Sequence, residues 1–254
     1  MARKGTRTSE PLPPPLPPET RTVGQLVAET INLYRRRFWP SLALGLGPAA
    51  AAVGATFIPG WWALAFVLTA GALLMTASYL GGVAIAADGK AKGSLLVAAE
   101  VGYVVFVPAL FLYSLFVLPA VAWLALFGLA VPAAYLERRG YRDALRRAYE
   151  LGRADFVHAA GSLATLVIVA FLTATVLFFL LLGASKLERS IAAFLSLLVI
   201  SPILFLGAAL LYYDQAARVR TRRSDADLHH ALDADRPGRA DAEGEPRPAA
   251  RGQS

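Results

Sequence analysis

Long apolar runs separated by short charged connections dominate the chain. Residues 41–59, 61–87, 102–136, 158–184 and 191–213 carry no Asp, Glu, Lys or Arg. A hydrocarbon core is about 30 Å thick and a helix rises about 1.5 Å per residue, so about 20 mostly apolar residues make one crossing. Pro59-Gly60, a turn dipeptide, divides the first two runs. The third run is 35 residues long and contains Pro108, Pro119 and Pro132. The runs are continuous rather than alternating, which predicts helices and argues against barrel strands.

The placement of basic residues decides how often the third run crosses. Of 25 Lys and Arg, seven precede residue 38, two lie in 90–92, six in 138–153, two in 186–189 and eight follow 217. A double crossing, with a turn near Leu118-Pro119, puts 23 of the 25 on one side. A single crossing would send the arginines of 138–153 outside, against the positive-inside rule. The expected fold is therefore all-α: a polytopic membrane protein with six transmembrane helices and short interfacial amphipathic helices. The spans are placed at about 41–59, 61–87, 102–118, 119–136, 158–184 and 191–213, with both termini cytoplasmic. Trp39, Trp61, Trp62, Tyr103, Tyr212 and Tyr213 fall at their ends, where amphipathic rings anchor in the headgroup layer.

Two stretches have helical periodicity without being long enough to span. Val23, Leu26, Val27, Thr30, Ile31 and Tyr34 recur on one face before Arg35-Arg36-Arg37. Tyr141, Ala144, Leu145, Ala148, Tyr149 and Gly152 make one face of 141–153; Arg142, Asp143, Arg146, Arg147 and Glu150 make the other. Asp143–Arg147 and Arg146–Glu150 are spaced for i, i+4 ion pairs. Both stretches are expected to lie along the cytoplasmic interface. They superpose at an offset of 118, with Leu33 on Leu151, Arg35 on Arg153 and Phe38 on Phe156. Residues 94–108 give a fainter third copy at an offset of 68. The expectation is three units, each an interfacial segment followed by a two-helix hairpin.

The ends differ in composition from the middle. Residues 1–22 hold the tract PLPPPLPP, an extended spacer that cannot build a core, and form a disordered tail. No apolar segment follows Arg3-Lys4 closely enough for a signal peptide. Residues 23–220 form the membrane domain. Residues 221–254 are rich in Asp, Arg, Ala, Gly and Pro and read as a second disordered tail.

Overall, 56% of residues are hydrophobic and 17% charged, which excludes an ordinary soluble enzyme. There is no cysteine, so disulfides, thiolate chemistry and cysteine-bound metals are excluded together. His229-His230 has no fixed companions for a metal, and Gly45-Leu46-Gly47 and Gly81-Gly82 lack the remainder of a phosphate-binding loop. Small residues in apolar helices serve close helix approach instead. Glu100 lies just outside a span as a candidate carboxylate. No cofactor and no nucleic-acid partner is expected. The candidate ligand-contacting residues are Arg35, Arg36, Arg37, Arg142, Arg146 and Arg147, facing anionic phospholipid headgroups of the bilayer, each worth about 1 kcal/mol near the surface.

Three motifs carry a family resemblance. TVGQLVAETINLYRRRFWPSL at 22–42, LERRGYRDALRRAYELGRADF at 136–156 and ALLYYDQAARVR at 209–220 together resemble a bacterial integral membrane protein family related to the membrane domain of glycerophosphoryl diester phosphodiesterases. Val157-His158 departs from the pattern, which often has an aromatic after the phenylalanine. The resemblance implies a helical membrane module with cytoplasmic termini and no catalytic domain, since the metal-binding barrel of the full-length enzymes has no counterpart in the tail. The functional expectation is a non-enzymatic protein of the cell (inner, cytoplasmic) membrane with a scaffolding, accessory or lipid-sensing role, with the lipid bilayer and a membrane protein as its candidate partners. The alternative is a small permease for a neutral or amphiphilic solute.

Overall fold

A computed structural model describes residues 21–89, 93–180 and 185–234. The proline tract at 11–18, Lys90, Lys92, residues 181–184 and the chain past 234 lie outside the described residues, as do the side chains of Lys186, His229 and His230.

Eleven α-helices follow one another among the described residues: α1 (Val23–Arg36), α2 (Phe38–Ala43), α3 (Leu46–Thr56), α4 (Trp61–Phe66), α5 (Ala72–Ala87), α6 (Leu95–Leu115), α7 (Val117–Phe127), α8 (Ala130–Leu136), α9 (Tyr141–Ala154), α10 (Phe156–Leu180) and α11 (Lys186–Ala234). A short π-helical segment, Val67–Gly71, joins α4 to α5. The described residues contain no strand. Among the described residues, six stretches are long and apolar enough to cross a membrane: Phe38–Thr56, Trp61–Ala87, Leu95–Leu115, Val117–Leu136, Phe156–Thr173 and Leu187–Leu228. The protein is an all-α, multi-pass integral membrane protein.

The third apolar run does cross twice, but the break falls at Phe116 rather than at Leu118-Pro119. Phe116 is extended, with φ −166° and ψ 145°. Pro119 then occupies the first turn of α7, where its missing N–H removes no helical hydrogen bond. The indole of Trp123 donates across this hairpin to the Val105 carbonyl at 2.9 Å. Pro59-Gly60 makes the expected turn, and Gly60 has a φ of 60° that other residues rarely adopt.

Small residues set the helix spacing. A Cβ on Gly45 would lie 2.0 Å from the Leu198 carbonyl oxygen, so the first span, near its middle, rests directly on the backbone of α11. The outer surface is apolar. Phe111, Phe116, Phe171, Val176 and Leu180 are exposed, as befits side chains that meet lipid tails.

The repeat proposed at an offset of 118 has a counterpart in the helices. α1 and α9 each contain 14 residues, and their first and last positions both differ by 118. Arg37 and Asp155, at matching positions, break each helix from the span that follows. The third copy is overturned. α6 is continuous from its Ser94 N-cap to Leu115, so Phe106 and Pro108 lie inside a span and not at a junction.

Both tail boundaries move outward. Arg21 and Thr22, assigned to the N-terminal tail, belong to the fold; Thr22 and Gln25 form a reciprocal capping box at the start of α1. The C-terminal tail does not begin at 221, because α11 continues to Ala234. Extending an existing helix avoids the nucleation cost that would defeat an isolated segment of this composition.

Candidate functional site

α11 brings its YYDQAAR stretch, residues 212–218, against four other helices. α1 and α10 pack on it, as does α9, and the Tyr212 side chain reaches the end of α8. Two charged clusters result, both at the end of the bundle where the first, third and fifth spans begin.

Asp214 organises the first cluster. It is fully buried, and its Oδ1 accepts from Arg21 Nη1 at 2.7 Å. Arg21 is held there because the capped start of α1 immediately follows it, and its other terminal nitrogen lies 2.8 Å from Glu29 Oε2. One turn beyond Asp214, Arg218 Nη1 donates to Asp155 Oδ2 at 3.1 Å and Arg218 Nη2 to the Arg21 carbonyl at 2.8 Å. His158 Nε2 is 3.3 Å from the same nitrogen. Asp155 also accepts the His158 backbone N–H at 3.3 Å, so one carboxylate both caps α10 and receives α11. Arg222 donates to the Ala154 carbonyl.

Glu137 organises the second cluster, just past the end of α8. Its Oε1 accepts from the Tyr212 hydroxyl at 2.5 Å and from Arg147 Nε at 3.3 Å; its Oε2 accepts from Arg139 Nε at 2.5 Å. Arg147 Nη1 also lies 3.8 Å from Glu150 Oε2. Burial alone would raise the Glu137 pKa, but the Tyr212 hydroxyl, Arg139 and Arg147 outweigh it and hold the carboxyl below its ordinary value.

The six arginines singled out from sequence divide. Arg35, Arg36, Arg37, Arg142 and Arg146 are exposed. Arg37 pairs with Asp88 at 2.6 Å, and Arg146 with Glu150 at 3.4 Å, the one i, i+4 pair foreseen that forms. Arg147 does not face headgroups. It is buried, and the carboxylates it meets are Glu137 and Glu150 rather than Asp143. The helical wheel of α9 had placed it outside because its charge was counted as solvent-seeking, and Glu137 cancels that cost. Glu100, expected just outside a span, is exposed on α6 within the third membrane-crossing stretch, Leu95–Leu115. Of the proposed aromatic anchors, Trp39, Trp61 and Trp62 are exposed, whereas Tyr212 is buried on Glu137.

The residues that carry this site are Arg21, Glu137, Asp155, Asp214 and Arg218, and sequence reasoning passed over all of them as candidates. The available signal was the Asp-Gln pair breaking an otherwise apolar approach to the end of the last span. Among the described residues, no group of three His, Cys, Asp or Glu is arranged to hold a metal ion. The arrangement binds helix to helix through charge. Comparison of the chain with protein-family models, with curated proteins and with solved structures finds no match.

Proposed function

We propose that this chain is a non-enzymatic membrane module of the cell (inner, cytoplasmic) membrane with a scaffolding, accessory or lipid-sensing role. Both termini lie in the cytoplasm. The observation that carries the reading is the division among its cations. The guanidinium groups inside the charged end are consumed by Asp214, Asp155 and Glu137. Those of Arg35, Arg36, Arg142 and Arg146 stay exposed on α1 and α9, beside the ends of the spans. Exposed arginines at that depth attract anionic headgroups, and the interior pairs keep the helices that present them in place. The excess of basic residues on one side of the six spans orients that side to the cytoplasm. The resemblance of the three motifs to the membrane module of the phosphodiesterases supports the same reading.

The test replaces Arg35, Arg36, Arg142 and Arg146 together by Gln, leaving buried Arg147 intact, and quantifies anionic phospholipid that co-purifies. The expected result is a fall of about ten-fold or more with an unchanged fold. Undiminished retention of anionic lipid would remove the lipid-sensing role.

A further inference from the structure

His158 reaches the first cluster through a contact whose chemistry permits one protonation state. Its Nε2 lies 3.3 Å from Arg218 Nη2. A guanidinium donates and never accepts, so Nε2 must be the unprotonated, accepting nitrogen of a neutral imidazole. A proton on Nε2 would turn the acceptor into a second donor and set two cations against each other.

The surrounding charges already balance without that proton. Arg21 and Glu29 come from the α1 side, Asp155 from the α9–α10 junction, and Asp214, Arg218 and Arg222 from α11, so three positive groups face three negative ones. Arg153 of α9 is exposed, and α7, which also packs on α10, carries no charged residue. An imidazolium at His158 would be uncompensated. Water reaches the cluster, because the side chains of Arg218 and Asp155 keep 18% and 22% of their surface exposed.

A second arrangement of Arg218 is within reach. Arg218 Nε and Asp214 Oδ2 are buried with no hydrogen-bond partner among the described residues. They belong to residues four apart on α11, the spacing at which helical side chains meet. Arg218 thus has two alternative sets of partners: Asp155 and His158 on the facing helix, or Asp214 on its own. The first ties α11 to α10 and, through the Arg21 carbonyl, to the start of α1. The second ties α11 only to itself.

We propose that His158 is an acid switch: protonating it turns Arg218 from Asp155 to Asp214 and loosens α10 from α11 at the charged end. The switch stands apart from the lipid-contacting reading, since none of the exposed arginines of α1 takes part. Closure requires a neutral His158. The stability it contributes is therefore present above the ordinary imidazole range, about pH 6.5, and is lost as pH falls below it.

The experiment follows thermal unfolding of the full chain in detergent between about pH 7.5 and about pH 5.5. Tm of the parent should fall by about 3 °C more than that of His158→Gln, whose amide oxygen accepts from Arg218 but takes up no proton. The chain has no cysteine, so spin labels can be placed through Val157→Cys and Leu228→Cys, both at exposed positions. Their separation should widen on acidification in the parent background and stay constant with His158→Gln. Equal Tm slopes in the two chains would overturn the proposal, and so would a label separation that does not change in the parent. Should His158→Gln fail to fold, nitrogen NMR of a chain with His229→Gln and His230→Gln leaves His158 as the one imidazole. An unprotonated Nε2 at about pH 7.5 that gains its proton on acidification would support the switch; an Nε2–H already present at the higher pH would overturn it.

Discussion

The two ends of the bundle are held by different physics. At the end carrying α1 and α9, buried arginines and carboxylates tie α11 to its neighbours, with Asp214 fully enclosed. At the other end the connections are Phe57–Gly60, the single extended residue Phe116, and the segment before α11. Phe57, Trp61, Trp62, Leu115, Phe116, Leu118 and Leu180 are exposed there. Its order comes from local turn and cap chemistry, such as Ser185 and Glu188 each accepting the other's backbone N–H at 3.3 and 2.7 Å. Paired buried charge gives one end specific tertiary contacts. Lipid does not discriminate between apolar neighbours, so the opposite end is left to backbone geometry.

The contrast can be broken most severely at Asp214. Asp214→Ala leaves Arg21 and Arg218 enclosed with less compensation, and a loss of about 3 kcal/mol is expected, read as a lower Tm of the detergent-solubilised chain. Removing one acceptor of the second cluster should cost less. Glu137→Gln retains the side-chain volume and is expected to destabilise by about 2 kcal/mol, because Arg147 keeps only Glu150 nearby. The same pair predicts a pH dependence. The folded pKa of Glu137 lies below its ordinary 4.5, so its contribution is fully present above that pH and is lost as pH falls through the lowered value. Stability measured from pH 7 downward should decline less steeply for Glu137→Gln than for the parent. At the opposite end, Gly60→Ala should cost about 1 kcal/mol. An added Cβ there meets nothing within 4 Å, so the whole effect is backbone strain and should not depend on pH.

Legibility in the sequence followed the same division. Crossing number was readable because hydrophobic length and arginine placement act on each segment separately. The Pro59-Gly60 turn was readable because a turn is local. Arg147 was misplaced, and Tyr212 was taken for a membrane anchor, because each is turned inward by Glu137, which lies 10 and 75 residues away. Arg21 looked like tail since its partner Asp214 is 193 residues distant.

The amino-acid sequence by itself determined that the chain must be helical and must traverse lipid an even number of times. Those properties follow from the cost of bare backbone and bare charge in hydrocarbon, which each stretch meets alone. Only the tertiary structure decided which charges are exposed and which are locked inside. That outcome depends on distant helices delivering a partner to within about 3 Å, and a buried ion becomes tolerable only once the partner has arrived.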